Sequence, residues 1–145
     1  MAQTSGWRRG GSILQSPMDS AVIATLGDGG IADITTTGRR TGTPRRIEIF
    51  FHSFDGDYYI TGRPGFKRDW LANMGANPEF TLHLKRGVRA DVPVSAQAIT
   101  DPVERETVLR RILTESWDNP PEKVDHIIDR WVAGAPLVRF EVVAE

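Results

Sequence analysis

Six short segments rich in β-branched and aromatic residues, at about 31–37, 46–52, 57–62, 80–85, 89–99 and 137–143, are separated by very unequal gaps. Helix patterns interrupt the series only before Ile31, around 66–76 and between Asp101 and Val132. No strand–helix–strand unit recurs, which argues against a wound parallel sheet. The pattern predicts an α+β fold: a small closed or half-closed barrel of six or so mainly antiparallel strands, with inserted and peripheral helices. No internal repeat is visible.

Local signals fix several joints. Ser16-Pro17-Met18-Asp19 has the form of a helix start, and Gly27, Gly29 and Gly30 that of its end, predicting a helix over about 17–26. Ile47, Ile49 and Phe51 share one face of the second strand, and Asp55-Gly56 marks a hairpin into the third. Phe66, Trp70, Leu71 and Met74 share a helical face that Asn77-Pro78 ends. Pro93 lacks a ladder donor, so the fifth strand should have an edge or a bulge. Asp101-Pro102-Val103-Glu104 and Asn119-Pro120-Pro121-Glu122 each resemble a capped helix start. The second opens a stripe of Val124, Ile127, Ile128, Trp131 and Val132, which packs either on its own barrel or on a second copy.

A chain of 145 residues suits one domain, expected at 16–145 behind a flexible arm at 1–15. There is no cysteine, which excludes thiol nucleophiles, disulfides and thiolate metal sites. The three histidines are far apart and form no metal-binding motif, so no protein-held metal is expected. No apolar run approaches a membrane span or a secretory leader, and a soluble cytoplasmic protein is expected. Up to residue 90 there are 12 basic against 8 acidic residues, and afterwards 6 against 11. That polarity points to a local site for a small anion rather than to nucleic acid.

The strongest local signal is TTTGRRTGTPRR at 35–46, four arginines without one acid on a turn where Gly38 and Gly42 free the backbone. Amides, hydroxyls and guanidinium groups converging there suit a phosphate or a polycarboxylate. A solvated basic hairpin tip would carry the same charge. A second signal, Thr61-Gly62-Arg63-Pro64-Gly65 followed by Phe66-Lys67-Arg68, leads from a strand end into a helix start.

Together with YYITGRPG and DWLANMGANP, these segments resemble the deazaflavin-dependent, nitroreductase-like oxidoreductases, which use coenzyme F420 on a split β-barrel. The resemblance implies that Arg39, Arg40, Thr41, Gly42, Thr43, Pro44 and Arg45 hold the phosphate and glutamate tail of the cofactor. It implies that Ile60, Thr61, Gly62 and Arg63 line the deazaflavin ring through backbone amides, and that Asp69, Trp70, Leu71, Ala72 and Asn73 form the adjoining helix contact. Trp70 also suits the core. Relatives often read Ala-Ser-Lys-Gly-Gly where Gly62 and Pro64 stand here, so the role of that serine is lost. Both tyrosines, Tyr58 and Tyr59, lie in the third strand rather than late in the chain, where Trp131 is the nearest aromatic.

The implied function is transfer of hydride from reduced F420 to a small electron-poor molecule such as an enone, a quinone or a nitro compound. No catalytic acid is assigned. A non-enzymatic carrier of deazaflavin, flavin, heme or fatty acid on the same barrel, and an FMN-dependent reductase, are the alternatives. Because split barrels often pair, a homodimer is a further expectation.

Overall fold

In the computed structural model, residues 19–143 are described; the expected arm at 1–15 and the Ser16-Pro17 helix start lie outside them. Helix α1 (Ser20–Asp28) is capped by Asp19, whose carboxylate accepts the Ala21 amide at 2.8 Å. It therefore starts and ends later than the sequence pattern suggests, and Gly29 rather than Gly27 terminates it.

Six strands follow: β1 (Gly30–Thr37), β2 (Pro44–Phe54), β3 (Asp57–Thr61), β4 (Glu79–Leu84), β5 (Ala90–Ala98) and β6 (Leu137–Val142). They close into a barrel in the order β1-β2-β3-β6-β5-β4, every pair antiparallel. The expected barrel class is thus realised, and closure leaves no free sheet edge. At the β2–β3 turn Asp55 and Gly56 take φ 54° and 87°, the left-handed pair that a two-residue hairpin requires.

Closure overturns the edge expected at Pro93, because β5 runs between β4 and β6. The proline is tolerated because its carbonyl accepts the Val143 amide, just past the end of β6. Its missing donor therefore faces the side where that ladder runs out.

Alternation sorts the strand residues into two cores. Ala32, Ile34, Phe51, Ile60, Leu82, Val92, Val138 and Phe140 fill the barrel, with Trp70 and Met74 of α2 (Asp69–Ala76) packed against them. Helix α2 begins three residues later than the apolar pattern implies: Phe66 lies outside the helix and is 61% exposed. On the opposite faces of β3 and β6, Tyr59 and Leu137 pack under α3 (Pro102–Arg111) and α4 (Pro121–Gly134). The α4 stripe is thus covered by its own chain. Asp101 caps α3 by accepting the Glu104 amide at 2.9 Å. Asn119 caps nothing: Pro120 holds the cap position of α4, and the Asn119 amide side chain donates to the Leu113 carbonyl instead.

Two features have no simple sequence signal. A π-helical turn, Ile112–Ser116, continues α3 and carries the chain toward α4. The Arg105 guanidinium donates to the carbonyls of Ile99, Trp131, Val132 and Ala135; the Trp131 carbonyl also accepts the Ala135 amide, whereas the Val132 carbonyl has no helical donor because Pro136 lacks an N–H.

His52 on β2 is buried between Phe50 and Trp117, with Nδ1 2.9 Å from Ser116 Oγ. Burial lowers its pKa to about 4 from the usual 6.5. The unfolded chain therefore takes up this proton near pH 6.5 and the folded protein only near 4. Stability is full above pH 6.5 and declines between those values, by about 2 kcal/mol at pH 5. Chemical denaturation at pH 7 and pH 5 should show that loss in the parent and a smaller one in His52→Asn, which cannot charge.

Candidate functional site

The β1–β2 connection turns tightly because its glycines permit it. Gly42 takes φ 71°, and its amide donates to the Gly38 carbonyl at 2.8 Å. Gly38 donates to the Thr43 carbonyl at 2.8 Å, and the Thr43 amide donates to Thr41 Oγ1 at 3.1 Å. A side chain at 38 would meet Thr41 Oγ1 and the Thr43 carbonyl at 3.0 Å. These bonds set the shape of the turn without drawing on its guanidinium groups.

Asn73 fixes the turn to α2. It is 2% exposed; its Nδ2 donates to Thr36 Oγ1 at 3.0 Å, and its Oδ1 accepts the Arg39 amide at 3.1 Å and the Arg39 guanidinium at 3.4 Å. Asp69, one helical turn earlier, lies 3.6 Å from the same guanidinium.

Between the turn and the helix lies a cavity of about 740 Å³. Arg39, Arg40, Arg45, Arg46, Lys67 and Arg68 line it, and Asp69 is the one carboxylate among the lining residues. Arg46 is drawn outward to Asp33 at 3.1 Å. Arg40, Arg45, Lys67 and Arg68 form no ion pair among the described residues. Ile47 and Trp70 supply an apolar wall. A cavity so rich in unpaired cations is matched to a polyanion with an apolar part.

The residues expected around the cofactor divide in space. Arg39, Arg40, Thr41, Pro44, Arg45, Asp69, Trp70 and Asn73 line this cavity, and Gly42 and Thr43 shape its turn. Leu71 and Ala72 do not line it, and neither do Ile60, Thr61, Gly62 and Arg63. Ile60 is fully buried in the barrel, and the Thr61 hydroxyl donates to the Pro136 carbonyl. Gly62 is covered: a Cβ there would lie 2.6 Å from the Arg68 guanidinium, which donates to the Arg63 and Phe66 carbonyls at 2.9 and 3.1 Å. Burial, and then the charge of Arg63, hold Arg68 below the usual guanidinium pKa. Thr36, Arg46, Ile47, Lys67 and Arg68 also line the cavity without standing among the expected cofactor contacts. Arg46, Lys67 and Arg68 were legible as part of the two basic segments; Ile47 sits on the inward face of β2, where apolar alternation reads simply as core.

His83 is hydrogen-bonded on both ring nitrogens, to Thr35 and to Asp91, each at 2.7 Å. Both strand histidines are thus engaged structurally. Among the described residues no cluster of acids and histidines could hold a metal, and no helix is long and apolar enough to cross a membrane.

The model of the F420H(2)-dependent quinone reductase family matches residues 9–129. The chain belongs to that family. As a member of the F420H(2)-dependent quinone reductases it is a reductase whose cofactor is coenzyme F420. No curated protein matches it. Among solved structures, an F420-H2-dependent reductase is similar at 23% identity and a TM-score of 0.54, over 77% of this chain and 94% of that one. A conserved hypothetical protein from Mycobacterium tuberculosis is similar at 16% identity and 0.64, over 92% and 84%. A protein described as a domain-swapped dimer is similar at 23% identity and 0.54, over 77% and 80%. At these identities the structures establish the shared barrel.

Asn73→Ala should leave Thr36 Oγ1 and the Arg39 amide without their partner, at a cost of about 1–3 kcal/mol. Denaturant unfolding should show that loss, and amide exchange at 38–43 should quicken in the variant.

Proposed function

We propose that the phosphate and glutamate tail of F420 lies in the basic cavity, held by Arg39, Arg40 and Arg45 with Lys67 and Arg68 from the facing loop. The observation that carries this reading is the count of charges: six cations and one carboxylate line a single cavity. FMN, with one phosphate, engages fewer of them. The deazaflavin ring then runs from Trp70 toward the end of β3, where Thr61 to Arg63 lead into the next loop.

When bound in its reduced form, the cofactor supplies hydride; with a proton from water, the acceptor gains two electrons and the cofactor is left oxidised. The chain's own share is to neutralise the tail, seat the ring and keep an apolar space beside it. The acceptor is an electron-poor small molecule: a quinone, an enone or a nitro compound. No side chain is assigned as proton donor, since His52 is buried and neutral and His83 is tied to Asp91. We further propose a cytoplasmic location and a homodimer, the latter supported by the domain-swapped dimer among the similar structures.

Equilibrium titration tests the cofactor reading. F420 should bind at least tenfold more tightly than FMN, and raising salt from 50 to 500 mM should weaken it, because partly exposed charges are screened. Replacing Arg39, Arg40 and Arg45 together by Ala should lower F420 affinity by two orders of magnitude or more, with the melting temperature unchanged or slightly raised. Equal F420 affinity in parent and triple variant would return the cluster to a solvated hairpin tip.

A further inference from the structure

A second cavity, of about 770 Å³, opens on the other side of the loop that carries Arg63 and Phe66, and shares no lining residue with the basic one. Its size suits a ring-sized organic ligand. Leu113, Trp117, Ile127 and Trp131 give it an apolar wall, the two indoles set edge to face at 5.9 Å. Phe66, which the helix leaves outside the core, lines the same cavity, and the Arg63 guanidinium lies 5.5 Å from its ring centre.

The charge on this cavity is one-sided. Arg63, Lys123 and Arg130 line it, and no acid does. None of the three forms an ion pair among the described residues. Helix α4 nevertheless carries Glu122, Asp125 and Asp129. The segregation follows from helical period: Lys123, Ile127, Arg130 and Gly134, at i, i+4, i+7 and i+11, share one face, and the acids fall on the others. Asp125 is turned to Arg110 at 2.7 Å. The three cations are exposed, so a neutral ligand meets only the apolar wall, whereas an acid engages the wall and the cations together.

We infer that this cavity binds the electron acceptor, and that the acceptor is an apolar, ring-sized molecule bearing a carboxylate or comparable anionic group. The acceptor role rests on the F420 reading above; the chemistry of the ligand does not. Arg63 and Lys123 approach from separate elements, so the acid group sits toward the loop and helix α4 while the rings lie against the indoles.

Anthraquinone-2-carboxylate and its neutral carboxamide are matched probes. Titrated into the cofactor-free protein with tryptophan fluorescence as the readout, the acid should bind at least tenfold more tightly than the amide at 50 mM salt. That preference should shrink at 500 mM salt and fall several-fold in Lys123→Gln/Arg130→Gln, which leaves Arg63 as the one cation lining the cavity, while F420 affinity reports that the double variant is folded. In steady-state assays with reduced F420, the acid should show the lower KM by a similar factor. Equal binding of acid and amide, or a preference undiminished by the double substitution, overturns the inference while F420 binding stands. An acid that binds with the expected preference to a protein that fails to bind F420 overturns the acceptor role together with the cofactor reading. An acid that binds but is not reduced by the F420-loaded protein overturns the acceptor role alone.

Discussion

Six cations facing one cavity repel one another, and the folded chain must hold them there before any ligand arrives. A turn of flexible backbone would let them spread into solvent. Three backbone and side-chain bonds within 38–43 and the buried amide of Asn73 prevent this, because they fix the turn's shape and its distance from α2 without using the guanidinium groups except at Arg39. The turn is thus held by neutral hydrogen bonds, and the charges of Arg40, Arg45, Lys67 and Arg68 are left without an ion pair among the described residues. The same separation explains why Asn73 is buried in a helix otherwise packed through Trp70 and Met74: the one polar group on the buried side is the one that holds the loop.

The barrel supplies what this clamp needs to act on. β1 pairs with β2 along its whole length, to Thr37 and Pro44, so the turn leaves the barrel at a defined place and angle. α2 enters after β3 and packs over the barrel core, which brings Asn73 to Thr36 across 37 residues of chain. On the far side, β3 and β6 bury both faces, one in the barrel and one beneath α3 and α4. Arg105 of α3 then ties that helix to the end of α4 and to the segment leading into β6. The second cavity inherits its walls from that layer.

Much of this was legible because it rests on local pattern. Enrichment in β-branched and aromatic residues located all six strands, Asp55-Gly56 located the hairpin, and the two basic segments were visible as charge on glycine-containing turns. Errors arose where tertiary closure overrides local chemistry. Pro93 reads as an edge residue, yet it sits inside a closed barrel at the point where one ladder ends. Phe66 reads as core by helical spacing, yet the helix starts at Asp69 and leaves it outside. Asn119 has the composition of a cap, but its side chain is taken by the Leu113 carbonyl of the preceding π-helical turn, which no residue spacing announced. The partition of the expected cofactor contacts into two groups was equally hidden, since it depends on which way β3 and the loop after it face.

That partition centres on Arg68. Its guanidinium lies over Gly62 and is satisfied by the carbonyls of Arg63 and Phe66, so the surface that glycine would offer to a flat ring is already filled. The two carbonyl bonds are neutral acceptors in a partly buried setting, and the neighbouring Arg63 charge works against them. An anion in the basic cavity, which Arg68 also lines, is a stronger partner for a guanidinium than either carbonyl. In the proposed binding mode, a ring seated against Gly62 would require the Arg68 guanidinium to leave it, and the polyanionic tail in the cavity that Arg68 lines would be its new partner. The loop from Gly62 to Arg68 contributes to both cavities, with Lys67 and Arg68 lining the first and Arg63 to Phe66 the second, so a displacement of Arg68 acts on the segment that walls the other.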